Sequence, residues 1–376
     1  MTRFARFAWG LLAYDVGVAA WGAYVRATGS GAGCGRHWPL CNGEVVPQAP
    51  RVETLIELSH RLSSGAALVL TAALLAWSWR AYPAGHRVRS GALAAMAFMI
   101  AEAAIGAALV LFQLVAHDAS AKRALSVSLH LVNTFLLLAS TALTAWWATG
   151  FGPIRIRGQG LVAWTTLLPL GAMLLVGSTG AVTALGDTLF PSASVAMGLA
   201  EDLAPRAHLF VRLRALHPLL ATMTAASIVV AAGLTRACRP TQVVRTLSRA
   251  GAALAMAQVA AGLLDIVLLA PLWLQLGHLL LADAVWLALV LTAAAALSGK
   301  HVLFSASDSA PPAWPLLQSL RGSAPADALE RLAPGGSAAA PPEVPPPGRE
   351  EPLVRATRAA LPPEVPPPVT PIGRGG

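Results

Sequence analysis

Residues 56–79 read IELSHRLSSGAALVLTAALLAWSW. The stretch from Ala66 onward is almost wholly apolar, and its length suits a helix crossing a bilayer, which takes about 20 residues. Yet the segment opens with Glu57, His60 and Arg61, and ionisable groups are costly inside a membrane. Whether these three decorate an edge or form a site decides how the rest of the chain is read.

The chain around this segment is of the membrane class. Of its 376 residues 56% are hydrophobic and 12% charged, against about 25% charged in soluble domains. Its mean hydropathy is +0.61. The net charge is +9, but the basic residues lie between apolar runs. Membrane topology explains them better than nucleic acid, and no nucleic-acid partner is expected.

Eight runs are long enough to span: 7–25, 54–79, 91–113, 124–149, 161–185, 208–234, 248–270 and 272–297. The first lacks a cleavage pattern and is read as a retained span. Ala270-Pro271 marks a tight hairpin between the last two, because proline starts a helix well and continues one badly. Eight spans put both ends on one side. With the N-terminus inside, twelve Lys and Arg flank the inner ends and eight the outer ends, Lys300 and Arg206 among them respectively, which favours N-in/C-in. The segment 26–53 is then outside.

The spans repeat as four plus four. IELSHRLSSGAALVL in the second corresponds to RLRALHPLLATMTAA in the sixth. AEAAIGAALVL in the third corresponds to AQVAAGLLDIVL in the seventh, and SLHLVNTFLLL in the fourth to QLGHLLLADAVWL in the eighth. The first, with AYVRATGSGAG, corresponds to the fifth, with LLVGSTGAVTALG. Such same-direction halves are related by an axis along the membrane normal. The expected fold is therefore an all-α integral membrane protein of eight transmembrane helices, built as two tandem pseudo-symmetric four-helix bundles. The N-terminal half covers 1–150 and the C-terminal half 151–299. A Pro/Ala-rich cytoplasmic tail at 300–376, with PPEVPPP twice, has a composition that cannot bury a core.

Of nine histidines, His37, His86, His117 and His301 fall in loops or flanks and His208 at a span edge. His60, His130, His217 and His278 occupy the four even-numbered spans, one each, in the outer part of the membrane. Neutral imidazole is a good axial ligand for haem iron. One pair per half, His60 with His130 and His217 with His278, supplies two axial ligands for each of two haems. A lone span histidine is ordinarily a packing residue; the repetition sets these four apart. Haems stacked across one bundle would need two histidines per helix about 13 residues apart, so the two sites lie side by side.

Glu57 and His60 are three residues apart and share a helix face. The repeat partner of Glu57 is Arg214, so the halves carry opposite charge beside the ligand. Glu57 reads either as a carboxylate reaching the headgroups or as a functional group. Arg61, Arg212 and Arg214 read either as partners for haem propionates or as interfacial anchors. Glu102, opposite Gln258, lies deeper, and Asp15, Asp265 and Asp283 are also within spans. Cys34 and Cys41 read as a disulfide, a redox-active dithiol or two free thiols; Cys238 has no evident partner.

The run VRATGSGAGCGRHWPLCNGEVVP followed by IELSHRLSSG resembles the haem A synthase family, over roughly 7–297. The resemblance implies oxidation of the ring-D methyl of haem O to a formyl group, giving haem A for terminal oxidases. It implies that His60 and His130 are iron ligands of the substrate haem, that Glu57 is catalytic, and that His217 and His278 hold a haem b. It also implies a Cys34–Cys41 disulfide. An inner (cytoplasmic) cell-membrane location, contact with lipid, an unidentified electron donor and supply by haem O synthase (protohaem farnesyltransferase) go with it. The rival class is a non-enzymatic two-haem electron carrier or haem chaperone.

Overall fold

The computed structural model describes residues 1–206 and 208–298. The Pro/Ala-rich segment, Lys300 and His301 lie outside the described residues. The chain divides into two units, Met1–Ser305 and Ala306–Gly376, and the described residues all belong to the first.

The described chain is helical, with two isolated bridges and no strand. The helices are α1 (Arg3–Ala27), α2 (Val52–Ala81), α3 (Arg87–Leu111), α4 (Ala121–Ala148), α5 (Leu161–Leu189), α6 (Val195–Leu203), α7 (Leu209–Arg214), α8 (Leu216–Cys238), α9 (Gln242–Val267) and α10 (Leu272–Leu297). In hydrocarbon every backbone amide must be satisfied within its own segment, which leaves helices as the form for such apolar runs. Side chains mark the starts: Thr2, Ser120 and Thr241 accept from the amides of Ala5, Arg123 and Val244. Between α9 and α10 the chain turns through Leu269 and Ala270 at positive φ. Pro271 then leads into α10, as the sequence predicts.

Among the described residues, seven helical segments are long and apolar enough to cross a membrane: α2, α3, α4, α5, the combined Leu209–Cys238, α9 and α10. The protein is a multi-pass membrane type. The eighth expected span, 7–25, lies in α1, whose hydropathy is diluted by Asp15, its glycines and its tyrosines and tryptophans. That helix still packs on α2 and α4, burying Phe4, Ala8 and Leu11. A second difference concerns the span expected at 208–234. It is broken at Ala215, because Pro218 has no amide hydrogen to offer the carbonyl of Arg214. The result is one extra turn, α7, ahead of α8.

Neighbours in sequence pack as neighbours in space: α2 on α3, α3 on α4, α4 on α5, α8 on α9 and α9 on α10. The largest apolar cluster joins α1, α4, α5, α8, α9 and α10 through Leu12, Phe135, Met173, Ile228, Ala255 and Trp286. Phe135 and Trp286 stack with centroids 5.1 Å apart, and the Trp286 indole N–H donates to the carbonyl of Phe135 at 2.6 Å. Trp164, Leu168, Leu219, Val230 and Trp273 are each more than half exposed. An apolar outer surface of this kind suits lipid.

Candidate functional site

The four repeat-related histidines lie on α2, α4, α8 and α10, and each faces a glycine of the helix preceding its own long helix. A Cβ added at Gly22 on α1 would stand 2.9 Å from Cε1 of His60, and one at Gly180 on α5 would stand 2.9 Å from Cε1 of His217. At Gly262 on α9 the distance to His278 Cε1 is 3.1 Å, and at Gly106 on α3 the distance to His130 Nε2 is 3.9 Å. Helix backbone therefore comes up against each imidazole edge, and at His60, His217 and His278 so closely that a methyl group would intrude. This fourfold pairing was not read from the sequence. Its signal was present, since Gly106 and Gly262 sit at matching places in AEAAIGAALVL and AQVAAGLLDIVL.

Within each half the imidazoles are in electrostatic range of one another, His60 of His130 and His217 of His278. Their surroundings differ. Glu102 places Oε1 3.1 Å from His130 Nδ1. The same carboxylate accepts from Thr134 Oγ1 at 2.5 Å and Asn133 Nδ2 at 2.5 Å. At the matching place in the other half, Gln258 Nε2 lies 3.2 Å from His278 Nε2. His217 Nδ1 meets Thr179 Oγ1 at 3.1 Å. Nδ1 of His60 and of His278 are buried with no hydrogen-bond partner among the described residues.

Glu57 is 3% exposed and held from two sides. The amide of Cys34 donates to its Oε2 at 2.7 Å, and Arg61 donates from Nε to its Oε1 at 3.1 Å. Arg61 Nη2 also reaches Oε1. Arg61 Nη1 donates to the carbonyls of His37 and Leu40, at 2.6 Å each. The spacing of four between Glu57 and Arg61 is the ordinary helical ion-pair spacing, and this pair clamps the segment between α1 and α2 onto the start of α2. Cys34 and Cys41 close that segment as a disulfide, with Cα atoms 4.3 Å apart. Arg61 thereby serves loop and carboxylate, and one of its five N–H groups is left over.

Arg214, the counterpart of Glu57, does the same with reversed charge. Its Nε donates to Asp202 Oδ1 at 2.8 Å and its Nη1 to Asp187 Oδ1 at 3.2 Å. Nη1 also reaches the carbonyl of Phe190 at 3.3 Å. The place one turn before the histidine thus anchors a connecting segment in each case, the one before α2 and the one before α7. Arg212 is exposed, and its side chain has no partner among the described residues. Asp15 and Asp283 are 4% and 1% exposed, their carboxylate oxygens without hydrogen bonds among the described residues. Cys238 is a free thiol.

Two residues that the sequence reading passed over tie the site down. Arg26 at the end of α1 donates to the Ala184 carbonyl at 2.8 Å and to Thr188 Oγ1 at 3.0 Å, both on α5. Gly33 packs directly on the backbone of Glu53 and Thr54, where a Cβ would run into main-chain atoms. Its carbonyl accepts from Thr54 Oγ1 at 2.8 Å. Gly33→Ala is expected to cost about 1–3 kcal/mol, as overpacking does, and to free the disulfide segment from α2. Limited proteolysis of that segment in the folded protein, faster in the variant than in the wild type, is the check.

A multi-pass helical membrane protein with two glycine-framed histidine pairs matches a family. The model of COX15-CtaA, cytochrome oxidase assembly protein, covers residues 5–290, and the chain belongs to that family. Among curated relatives, the "Protoheme IX farnesyltransferase" proteins of two Thermus thermophilus strains are each 52% identical over 296 residues, 79% of this chain and 49% of theirs. "Heme A synthase" of Bacillus mycoides is 48% identical over 91 residues, 24% of this chain and 29% of its own. The chain spans about half the length of the Thermus relatives it matches.

Proposed function

We propose that this protein is a haem A synthase, oxidising the ring-D methyl of haem O to the formyl group of haem A. The observation that carries the reading is the asymmetry between two like frames. Both halves present a histidine pair against glycines, and one of them sets a buried carboxylate, Glu57, one turn from its ligand. The names of the Bacillus relatives support it.

The residues suit a flat macrocycle. Each imidazole has backbone, without a side chain, at its edge, and buried ring nitrogens remain unpaired among the described residues. His60 and His130 hold the substrate haem in the half 1–150, and His217 and His278 hold a haem b in the half 151–299. When bound, the haem b supplies electron transfer. Glu102 fixes the orientation of His130, as carboxylates do for metal-bound histidines. Glu57 takes the proton leaving the reacting methyl, and Arg61 pairs with that carboxylate and keeps the loop closed against water. Among Arg61, Arg212 and Arg214, Arg212 has its guanidinium free for a propionate. The sites face the outer side of an inner cell membrane with both ends inside; molecular oxygen is the oxidant, supplying the formyl oxygen and being reduced to water with electrons from a donor in or at the lipid bilayer.

Haem O is protohaem that carries a farnesyl-derived tail, so a prenyl transfer must supply the substrate. The name of the Thermus relatives describes such a transfer, which makes that enzyme class the natural upstream partner. It also raises a second reading, prenyl transfer by this chain itself. Extraction and mass identification of the haems from the purified protein separates these readings. Protohaem together with haem O, haem A or the intermediate alcohol is expected. Protohaem alone in both sites would favour an electron carrier or haem chaperone, and formation of haem O from protohaem and farnesyl diphosphate by the purified chain would favour the transferase.

A further inference from the structure

A cavity of about 440 Å³ opens between α2 and α3. Its lining is apolar throughout: Leu68 on α2, Ile100, Ala103, Ala104, Ala107 and Ala108 along α3, then Leu111, Phe112 and Trp38 at its outer end. The α3 residues recur at intervals of three and four, so they form one face of the helix. From Ile100 to Leu111 that face is about 16 Å long at 1.5 Å per residue. Gly106, the residue against His130, lies on the same helix between Ala103 and Ala107, so the cavity runs past the level of the imidazole.

The same stretch of the other half is built differently. Glu102 and Gly106 correspond to Gln258 and Gly262, which aligns Ala107 and Ala108 with Leu263 and Leu264. Both halves keep the glycine that meets the histidine. Only the first has methyl-sized side chains at the two positions that follow it, and only there does a loop tryptophan stand at the outer end. Arg61 binds the carbonyls of His37 and Leu40, and so fixes the chain on both sides of Trp38. The substrate of the first half differs from the haem of the second in one large apolar group.

We propose that this cavity receives the isoprenoid tail of haem O, and that Ala107 and Ala108 let the N-terminal half accept a tailed haem while Leu263 and Leu264 suit the other half to protohaem. The inference rests on the functional reading above. A tail in the cavity leaves the ring edge between α2 and α3 and gains by burial of its carbons, and the tail then fixes which methyl of the ring points at Glu57. The ring site needs nothing from the cavity, so protohaem binding is independent of it.

The test uses the full chain purified from membranes of cells that make haem O, as wild type and as the Ala107→Leu/Ala108→Leu double variant. Bound haems are extracted and identified by mass. Haem-stripped samples are then titrated with haem O and with protohaem and followed by absorbance. The variant is expected to lose affinity for haem O by about tenfold or more, the scale set by a few buried carbons, and to keep its affinity for protohaem. An unchanged preference for haem O, or equal loss of both haems, overturns the assignment of the cavity. A wild type that holds no tailed haem and binds haem O no better than protohaem overturns the functional reading, and the cavity's role with it. If the double variant does not accumulate, Ala108→Leu alone carries the same comparison, with protohaem binding as its folding control.

Discussion

Glu57→Ala is expected to stop haem A formation while both haem sites stay filled, so that haem O or its alcohol accumulates. A general base contributes about 10²–10⁴-fold to rate, and output should fall within that range. Alanine removes more than a base, because it also leaves Arg61 unpaired and the Cys34 amide without its acceptor. Breaking such a buried pair costs about 3–5 kcal/mol, enough to loosen the loop. Glu57→Gln separates the two roles. Glutamine still accepts from the Cys34 amide but holds no charge. If both variants lose haem A and keep haem O, the carboxylate acts in the chemistry. If glutamine restores normal output in a membrane assay, Glu57 is a loop anchor and nothing more.

The second large effect concerns the ligands. His130→Ala is expected to release the tailed haem and spare protohaem, and His278→Ala to do the reverse. Each is expected to leave about half the haem per protein, since each haem would be held by its own histidine pair. Haem A formation stops in both variants, for want of substrate binding in one and of electrons in the other. The readout is the haem composition of purified protein, taken together with its visible spectrum. If either substitution depletes both haems equally, the division of labour between the halves is wrong, and a shared site would have to replace it.

Much of this was legible in the chain. Apolar runs gave the spans, and the order of features in the two halves singled out His60, His130, His217 and His278. What the sequence could not show was contact across helices. Gly22 and Gly180 look like ordinary small residues until the neighbouring imidazole is placed against them. Arg26 looks like a flanking cation until α5 supplies its acceptors. Arg61 is a different case. Its spacing from Glu57 announces an ion pair, but a cation near a proposed haem draws attention to propionates instead. The break before α8 was also readable, since Pro218 withholds the amide that a continuous helix would need.

The glycine facing each imidazole has a consequence for genetics. A change of Gly22 or Gly180 to alanine adds one methyl group 2.9 Å from a ring carbon. The ring is the movable end of its side chain, so it turns aside and the helices stay where they are. Such an allele would pass every screen for expression and membrane insertion, and would still behave as though its histidine had been deleted.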